Sequence, residues 1–214
     1  MLETIAETRM YRKLALIALG ANLSSLAGSP SESLLFALRL FCDIDGAELH
    51  AVSRFYETPA FPPGSGPDYV NACAALKTEL EAEALLAELH AIESRLGRSR
   101  DNGRWGARGI DLDLLAVAGE VFPNEVVQNT WRALPFDQQM QREPDQLILP
   151  HPRLQDRAFV LVPLADIAPG WRHPRIGLSV AQMLAALPAA DRESVQIILD
   201  KPGQSGHEFA SPLT

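Results

Sequence analysis

A short stretch of the chain joins a basic, glycine-rich segment to a strand-like segment that carries two carboxylates. Residues 98–108 hold four arginines against a single acid, Asp101. In the following segment, Gly109–Ala118, apolar residues alternate with Asp111 and Asp113. Because successive side chains on a strand point to opposite faces, both carboxylates share one face. The four arginines are Arg98, Arg100, Arg104 and Arg108.

Two chemistries are compatible with this pattern. Paired carboxylates beside a cationic loop suit an oxygen-preferring divalent cation that carries a phosphate group. The alternative is an exposed polar strand face next to a solvated loop, since a bare Asp-x-Asp pattern is common. The arginine cluster and Trp105 favour the metal-phosphate interpretation.

The composition indicates a soluble globular protein. The chain has 214 residues, of which 47% are hydrophobic and 21% charged, enough for a substantial core. A formal net charge of -8 argues against a nucleic-acid binder that works through bulk charge. Cys42 and Cys73 lack metal-ligand spacing, so both are predicted to be small core residues in a reducing compartment.

The N-terminal region predicts an extension followed by a buried strand. Residues 1–12 are interpreted as a loose extension, and Lys13–Gly20 as the first strand. The apolar run superficially resembles a secretory signal, but Glu3 and Glu7 interrupt its basic leader. The run is also far too short to span a membrane. A cytoplasmic location without membrane contact is therefore expected.

Helical spacing predicts two helices before the basic segment. Ser29–Glu32 forms a capping box, and apolar residues then recur at helical spacing to about residue 43. Thr78–Glu81 forms a second capping box, and that helix ends at Gly97. His90 and Glu93 lie three residues apart on it, a spacing more typical of a surface hydrogen bond than of a ligand set.

Two further strands are predicted between these landmarks, Ala47–Tyr56 and Asp68–Thr78. The intervening segment Thr58–Pro67 contains four prolines and must be a loop. On the second of these strands, one face carries Tyr69, Asn71 and Cys73, and the other carries Val70, Ala72 and Ala74.

Beyond the acidic strand the pattern becomes irregular. Residues 119–149 combine charge, glutamine and proline with poor periodicity, which predicts an irregular insertion with a short strand near Val126. A strand end, a polar turn and a short buried helix follow. Ser179–Leu187 is a further helix, Val195–Leu199 an edge strand, and 201–214 a polar tail. Residues 13–200 are thus expected to form a single domain.

The order strand, helix, strand, strand, helix, strand is that of a ferredoxin-like plait. The predicted fold class is α+β, an antiparallel sheet flanked by helices. This order alone fits many functions.

Several motifs resemble those of the 6-hydroxymethyl-7,8-dihydropterin pyrophosphokinase family, in the family's order and over roughly residues 14–170. They are Ala18–Leu23, Phe55–Pro59, Pro67–Ala72, Arg104–Asp113 and Leu149–Phe159. The resemblance implies transfer of the β,γ-diphosphate of ATP to the hydroxymethyl oxygen of the pterin, with release of AMP. That reaction lies one step before dihydropteroate synthase in folate synthesis. The family uses two magnesium ions on a ferredoxin-like fold.

The resemblance also implies a nucleotide and metal site. Asp111 and Asp113 would hold both magnesium ions, which suits a reaction that needs the triphosphate charge neutralised and aligned. Arg104 and Arg108 would contact the phosphates and complete the catalytic set, because the planar guanidinium pairs with phosphate oxygens. Without the resemblance, His151 would be a loop histidine between two prolines. The other implied ATP contacts are Glu93, Arg98, Arg100, Leu114, His151 and Arg157.

For the pterin, the resemblance implies two bracketing aromatic rings and an amide that reads the pyrimidinone edge. An asparagine offers both a donor and an acceptor to that edge. Taken alone, Phe159 and Tyr69 would be core aromatics. The implied pterin residues are Thr58, Pro59, Phe61, Tyr69, Asn71, Trp105 and Phe159.

Two departures and two alternative functions remain at this point. His90 stands where the family usually has glutamine, and the 119–149 insertion is longer than in short family members. A nucleotidyltransferase would use a similar metal site but release pyrophosphate. A non-catalytic pterin- or nucleotide-binding module would keep the pocket without turnover. The expected partners are ATP and the reduced pterin, and the expected assembly is a monomer or weak homodimer.

Overall fold

An antiparallel sheet forms the centre of the computed structural model, which describes residues 12–60, 66–97, 109–135, 138, 141–142 and 144–198. Most of the N-terminal extension and the whole tail therefore lie outside the described residues. The strands follow the order β5-β1-β4-β3-β6, and β2 also pairs with β4. The strands are β1 (Lys13–Ala21), β2 (Ala47–Val52), β3 (Tyr56–Thr58), β4 (Tyr69–Thr78), β5 (Asp111–Val117) and β6 (Gln196–Ile197).

Helices cover both faces of this sheet. α1 and α2 pack on one face, in a core cluster that includes Leu34 and Leu89. α4 and α5 pack on the other face, with Leu161 and Met183 in a second cluster. The predicted α+β class, an antiparallel sheet flanked by helices, is confirmed. The helices are α1 (Pro30–Phe41), α2 (Ala82–Arg95), α3 (Glu125–Arg132), α4 (Ala158–Ile167), α5 (Val180–Ala186) and α6 (Ala189–Glu193).

A register shift near the end of β5 interrupts the alternation of its side chains. The pairing with β1 shifts between Leu16 and Ile17. Leu112 and Leu114, ahead of the shift, alternate normally and join the α1–α2 cluster, whereas the adjacent Leu115 and Ala116 both join the α4–α5 cluster. Asp111 and Asp113, which alternate with the core leucines, therefore lie on the face that α4 covers.

The first predicted capping box is confirmed and the second is wrong. Ser29 Oγ accepts from Glu32 N at 3.4 Å, and the Ser29 N–H donates to the Glu32 carboxylate at 2.8 Å. Thr78 instead uses its hydroxyl locally, accepting from Leu80 N at 3.0 Å and donating to the Gly46 carbonyl at 3.1 Å. Glu81 precedes α2 without a side-chain cap.

Two predicted strands need correction. Ala47–Tyr56 is not one strand, because Ser53 interrupts it by exchanging hydrogen bonds with the backbone of Cys73 at 2.8 and 2.9 Å. β2 and β3 are therefore separate. The strand expected near Val126 is wrong, since α3 occupies that position with its first turn capped by Asn124 Oδ1 on Val127 N at 3.0 Å.

One cysteine is buried and the other is exposed. Cys73 is fully buried, as predicted, and burial raises the pKa of its thiol. Cys42 is exposed, so its predicted place in the core is wrong. Among the described helices, none is long and apolar enough to cross a membrane.

Candidate active site

Three neighbouring strands bring an acidic pair and an amide onto one face of the sheet. Gly20 of β1 pairs with Asp111 of β5 on one side and with Asn71 of β4 on the other. Directly paired residues project to the same side of a sheet. Gly20 therefore leaves the space between Asp111 and Asn71 without a side chain. Asp113, which pairs with Ala18, continues the acidic side on the same face, as the alternation predicts.

The start of α4 brings a guanidinium and an aromatic ring to this face. Arg157, the N-cap residue of α4, has Nη1 3.5 Å from Asp113 Oδ2. Its guanidinium also lies 5.5 Å from the centre of the Phe159 ring. Phe159 is 40% exposed, so it is not a core aromatic and its ring is accessible to a ligand. The structure thus brings Asp113, Arg157 and Phe159 together.

The outer edge of β5, away from β1, carries a second group of predicted residues. The Leu112 N–H donates to Glu93 Oε1 at 2.7 Å, and the Leu115 carbonyl accepts from the His151 N–H at 2.8 Å. Glu93 is only 2% exposed, so its predicted place on the surface of the helix is wrong. Leu114 lies between these two attachments with its side chain in the core.

His151 is held in one protonation state. Its Nδ1 accepts from the Arg153 N–H at 3.1 Å, which leaves the proton of a neutral ring on Nε2. Burial, followed by the nearby guanidiniums of Arg157 and Arg153, holds the pKa of His151 well below its ordinary value. The Asp111 carboxylate opposes this shift without cancelling it. At neutral pH the ring is therefore an uncharged donor.

The predicted pterin residues of β3 and β4 form a linked pair. Asn71 is 6% exposed, and its Nδ2 donates to Thr58 Oγ1 at 2.7 Å. A Cβ placed on Gly20 would lie 3.0 Å from Asn71 Oδ1, so the glycine makes room for the amide. Tyr69 pairs with Thr58 and is half-buried, while Pro59 is exposed.

A carboxylate on α4 fixes that helix to the sheet beside this pair. Asp166 Oδ2 accepts from the Tyr56 hydroxyl at 2.8 Å, and from Arg54 through Nε at 3.0 Å and the backbone N–H at 3.1 Å. Burial raises the pKa of the Asp166 carboxyl, but the hydrogen bonds from Arg54 and Tyr56 outweigh it and leave that pKa lowered. Burial and Asp166 raise the pKa of Tyr56 to about 12.

Sequence reasoning missed three contributors to this arrangement. Gly20 stands inside a motif that resembles the family, but only its pairing with Asp111 and Asn71 reveals its role. Tyr56 and Asp166 carry no local signal, because their contact joins residues 110 positions apart.

Six predicted site residues lie outside the described residues. In the described ranges, no group of three or more His, Cys, Asp and Glu side chains is arranged to hold a metal ion. The six residues are Phe61, Arg98, Arg100, Arg104, Trp105 and Arg108.

Sequence comparison matches residues 16–169 to the family model described as 7,8-dihydro-6-hydroxymethylpterin-pyrophosphokinase (HPPK). Three similar proteins carry the name 2-amino-4-hydroxy-6-hydroxymethyldihydropteridine pyrophosphokinase. The one from Pseudomonas aeruginosa is 39% identical over 80% of this chain and 90% of its own length. The one from Haemophilus influenzae is 38% identical over 72% of this chain and 81% of its own length. The one from Synechocystis sp. is 36% identical over 79% of this chain and 74% of its own length.

Solved structures share the fold at much lower identity. A triple mutant of Plasmodium falciparum HPPK-DHPS has a TM-score of 0.56 and 15% identity, covering 86% of this chain and 46% of that one. An HPPK-DHPS complex with substrates has a TM-score of 0.56 and 13% identity, covering 81% and 43%. This chain spans less than half of those two chains, and the likeness concerns the fold alone. The family model and the three relatives show that the chain belongs to the 7,8-dihydro-6-hydroxymethylpterin-pyrophosphokinase family.

Proposed function

We propose that the face formed by β5, β1 and β4 is the active site, with ATP along β5 and the pterin over Asn71. The activity is the family's ATP-dependent transfer of pyrophosphate to hydroxymethyldihydropterin in folate biosynthesis. The observation that carries the proposed site is the pairing of Gly20 with both Asp111 and Asn71. Two strand spacings of about 4.8 Å separate β5 from β4, which leaves roughly 10 Å for the transferring phosphates.

The acidic pair fits magnesium. Asp111 and Asp113 present hard oxygen donors from one rigid strand face, and the Asp113 side chain is 38% exposed and accessible to a cation. Magnesium in phosphate-transfer sites is usually held by one or two carboxylates, and substrate phosphates and water supply its other ligands. Two magnesium ions bound there with ATP would neutralise phosphate charge and align the triphosphate.

Two described residues on the ATP side are suited to bind phosphate. Arg157 already reaches Asp113 and offers a permanent, planar charge. His151 offers an uncharged Nε2–H donor, and its position beside Leu115 sets it at the outer edge of β5. We assign the adenine to the backbone of Leu114, between the attachments of Glu93 and His151. Arg98, Arg100, Arg104 and Arg108 remain proposed phosphate contacts.

The pterin is assigned to the other side of Gly20. The Asn71 amide, held by Thr58, supplies the donor and acceptor that read the pyrimidinone edge. The exposed ring of Phe159 offers one stacking surface, and Trp105 is proposed as the other. Tyr69, Pro59 and Phe61 complete the proposed pocket.

The reaction needs alignment more than covalent help from the protein. The hydroxymethyl oxygen bonds to the β-phosphorus and releases its proton to solvent, while the bond from that phosphorus to the α–β bridging oxygen breaks and AMP leaves with that oxygen. The residues of the face bind, orient and shield the reacting groups. Thr58 orients Asn71, and Arg153 and Leu115 orient His151, before any substrate binds. Less reorganisation of the protein is therefore needed to align the substrates.

The order of the elements supports a ferredoxin-like plait. β1, α1, the β2–β3 segment, β4, α2 and β5 follow the order of a ferredoxin-like plait, and β5, β1 and β4 are neighbours as that plait requires. We propose one pyrophosphokinase domain over residues 13–200, located in the cytoplasm. We further propose a monomer or weak homodimer that binds neither nucleic acid nor membrane, in keeping with the net charge of -8.

Product analysis tests the proposed function directly. The protein is incubated with ATP, magnesium and 6-hydroxymethyl-7,8-dihydropterin, and AMP and pyrophosphate are both measured. AMP formation that requires the pterin supports the proposal. Pyrophosphate release would identify a nucleotidyltransferase, and binding without either product would identify a non-catalytic module.

A further inference from the structure

The insertion after β5 contains a helix whose buried face is polar. Gln128 is the only buried residue of α3 and is fully inaccessible, whereas Val126 on the same helix is 75% exposed. Glutamine is seldom fully buried unless its amide is hydrogen-bonded. Its Oε1 has no hydrogen-bond partner among the described residues, and burying it in that state costs stability. Packing alone therefore does not explain a glutamine at this position.

The other end of the same amide reaches the segment that carries His151. Gln128 Nε2 donates to the Pro150 carbonyl at 3.1 Å, across 22 positions of sequence. Pro150 is itself buried and directly precedes His151. Because a proline has no N–H, its carbonyl is the only backbone hydrogen-bonding group that can fix this residue. Gln128 supplies that bond from the insertion.

Backbone contacts fix the residues on either side. Leu149 exchanges hydrogen bonds with Phe122, at 3.0 Å through its N–H and 2.8 Å through its carbonyl. The His151 N–H donates to the Leu115 carbonyl at 2.8 Å. Among these attachments of residues 149–151, only the one at Pro150 depends on a side chain. A substitution at Gln128 can therefore remove it selectively.

α3 is in turn anchored to the region after α4. Glu125 forms an ion pair with Arg175 at 2.7 Å. Asn129 Oδ1 lies 3.4 Å from the Nε of Arg175 and from a terminal nitrogen of Arg132. Gln128 thus projects from a helix that is held by Arg175, in addition to the pairing of Phe122 with Leu149 just ahead of it.

We propose that Gln128 is a positioning residue for ATP, acting through Pro150 to hold His151 at the outer edge of β5. The inference rests on the proposed function in one respect, the assignment of His151 to the nucleotide. It gives the insertion a specific task, support of the ATP side of the site. The hydrogen bond of Gln128 is made to Pro150, on the ATP side.

The test is steady-state kinetics of Gln128→Met, which keeps the length and helix preference of the side chain but removes the amide donor and the amide acceptor. The KM for ATP is expected to rise about tenfold, as a small displacement of a binding group suffices for that. The KM for the pterin should stay within about twofold. Gln128→Asn, which keeps the amide but shortens the reach, should shift in the same direction and serves if the first variant folds poorly.

Asn124→Ala is the matched control, because it removes the cap of α3 without touching Pro150. It should lower the melting temperature while leaving the ATP KM unchanged. Equal rises in both KM values for Gln128→Met, or a rise in ATP KM as large for Asn124→Ala, would overturn the inference. So would an unchanged ATP KM in a folded Gln128 variant. Absence of AMP formation by the wild-type protein would instead count against the proposed function.

Discussion

The buried carboxylate of Glu93 accepts a hydrogen bond from the backbone N–H of Leu112, with 2.7 Å between Oε1 and the nitrogen. Leu112 stands between Asp111 and Asp113, so α2 fixes the part of β5 from which both carboxylates project. Whatever Glu93 contributes to nucleotide binding, it also sets the strand geometry on which the proposed metal site depends.

Glu93→Ala should therefore destabilise the protein. It leaves the Leu112 N–H without this acceptor in a buried environment, which costs about 2 kcal/mol of unfolding free energy. Glu93→Gln keeps an oxygen at the same place and should lose less. Urea unfolding of the two variants measures the difference. Equal losses would show that the hydrogen bond to Leu112 is not what Glu93 contributes.

Asp111→Asn and Asp113→Asn should abolish turnover while the fold survives. Both changes keep size and shape but remove a charge that magnesium requires. The partly exposed ion pair of Asp113 with Arg157 contributes at most about 1 kcal/mol to stability. AMP release is measured across a magnesium titration, alongside thermal melts. A folded Asp113→Asn protein with wild-type turnover at low magnesium would exclude the proposed metal site.

Asn71→Ala should weaken pterin binding by about 1–3 kcal/mol, because the buried polar edge of the ligand loses its partner. ATP affinity should be nearly unchanged. Thr58→Val, which removes the acceptor for Asn71 Nδ2 but keeps the side-chain shape, should have a smaller effect in the same direction. Calorimetry with each ligand provides the comparison. Similar losses for ATP and pterin would contradict the assignment.

Gly20→Ala tests the gap between the two substrates. The added Cβ would lie 3.0 Å from Asn71 Oδ1, so the amide must move by a few tenths of an ångström. The pterin KM should rise about tenfold, because a small displacement of a group that binds substrate is enough to weaken binding to that extent. Gly119→Ala is the control, because nothing lies within 4 Å of its added Cβ. A pterin KM equal to that of the control would mean that Asn71 accommodates the change.

Stability should decline in mildly acidic solution because of His173. This residue is fully buried, and burial, followed by the Arg132 guanidinium, lowers its pKa to about 4. The unfolded chain takes up this proton at about pH 6.5. The stability supplied by the neutral ring is thus complete above pH 6.5 and is lost as pH falls toward 4, by up to about 3 kcal/mol. Unfolding of His173→Gln across that range should show a flatter pH dependence, whereas an identical slope would refute this origin.

The sequence alone determined the features that depend on neighbouring residues. The Ser29 cap of α1 needs only Glu32 three positions away, and it formed as predicted. The placement of Asp111 and Asp113 on one face follows from strand alternation. The family itself was identifiable from short contiguous motifs such as Arg104–Asp113, because such motifs retain their chemistry in one stretch of chain.

Only the tertiary structure decided the contacts that join distant parts of the chain. Glu93 looked like a surface acid until α2 packed against β5, where Leu112 offered an unpaired edge donor. Thr78 could have capped α2, but its hydroxyl instead donates to the Gly46 carbonyl and accepts from the Leu80 N–H. The helix at Val126 buries Gln128 rather than an apolar side chain, and an ion pair between Glu125 and Arg175 holds it to a later segment. Packing determines which of these groups meet, so they cannot be predicted from the neighbouring residues in the sequence.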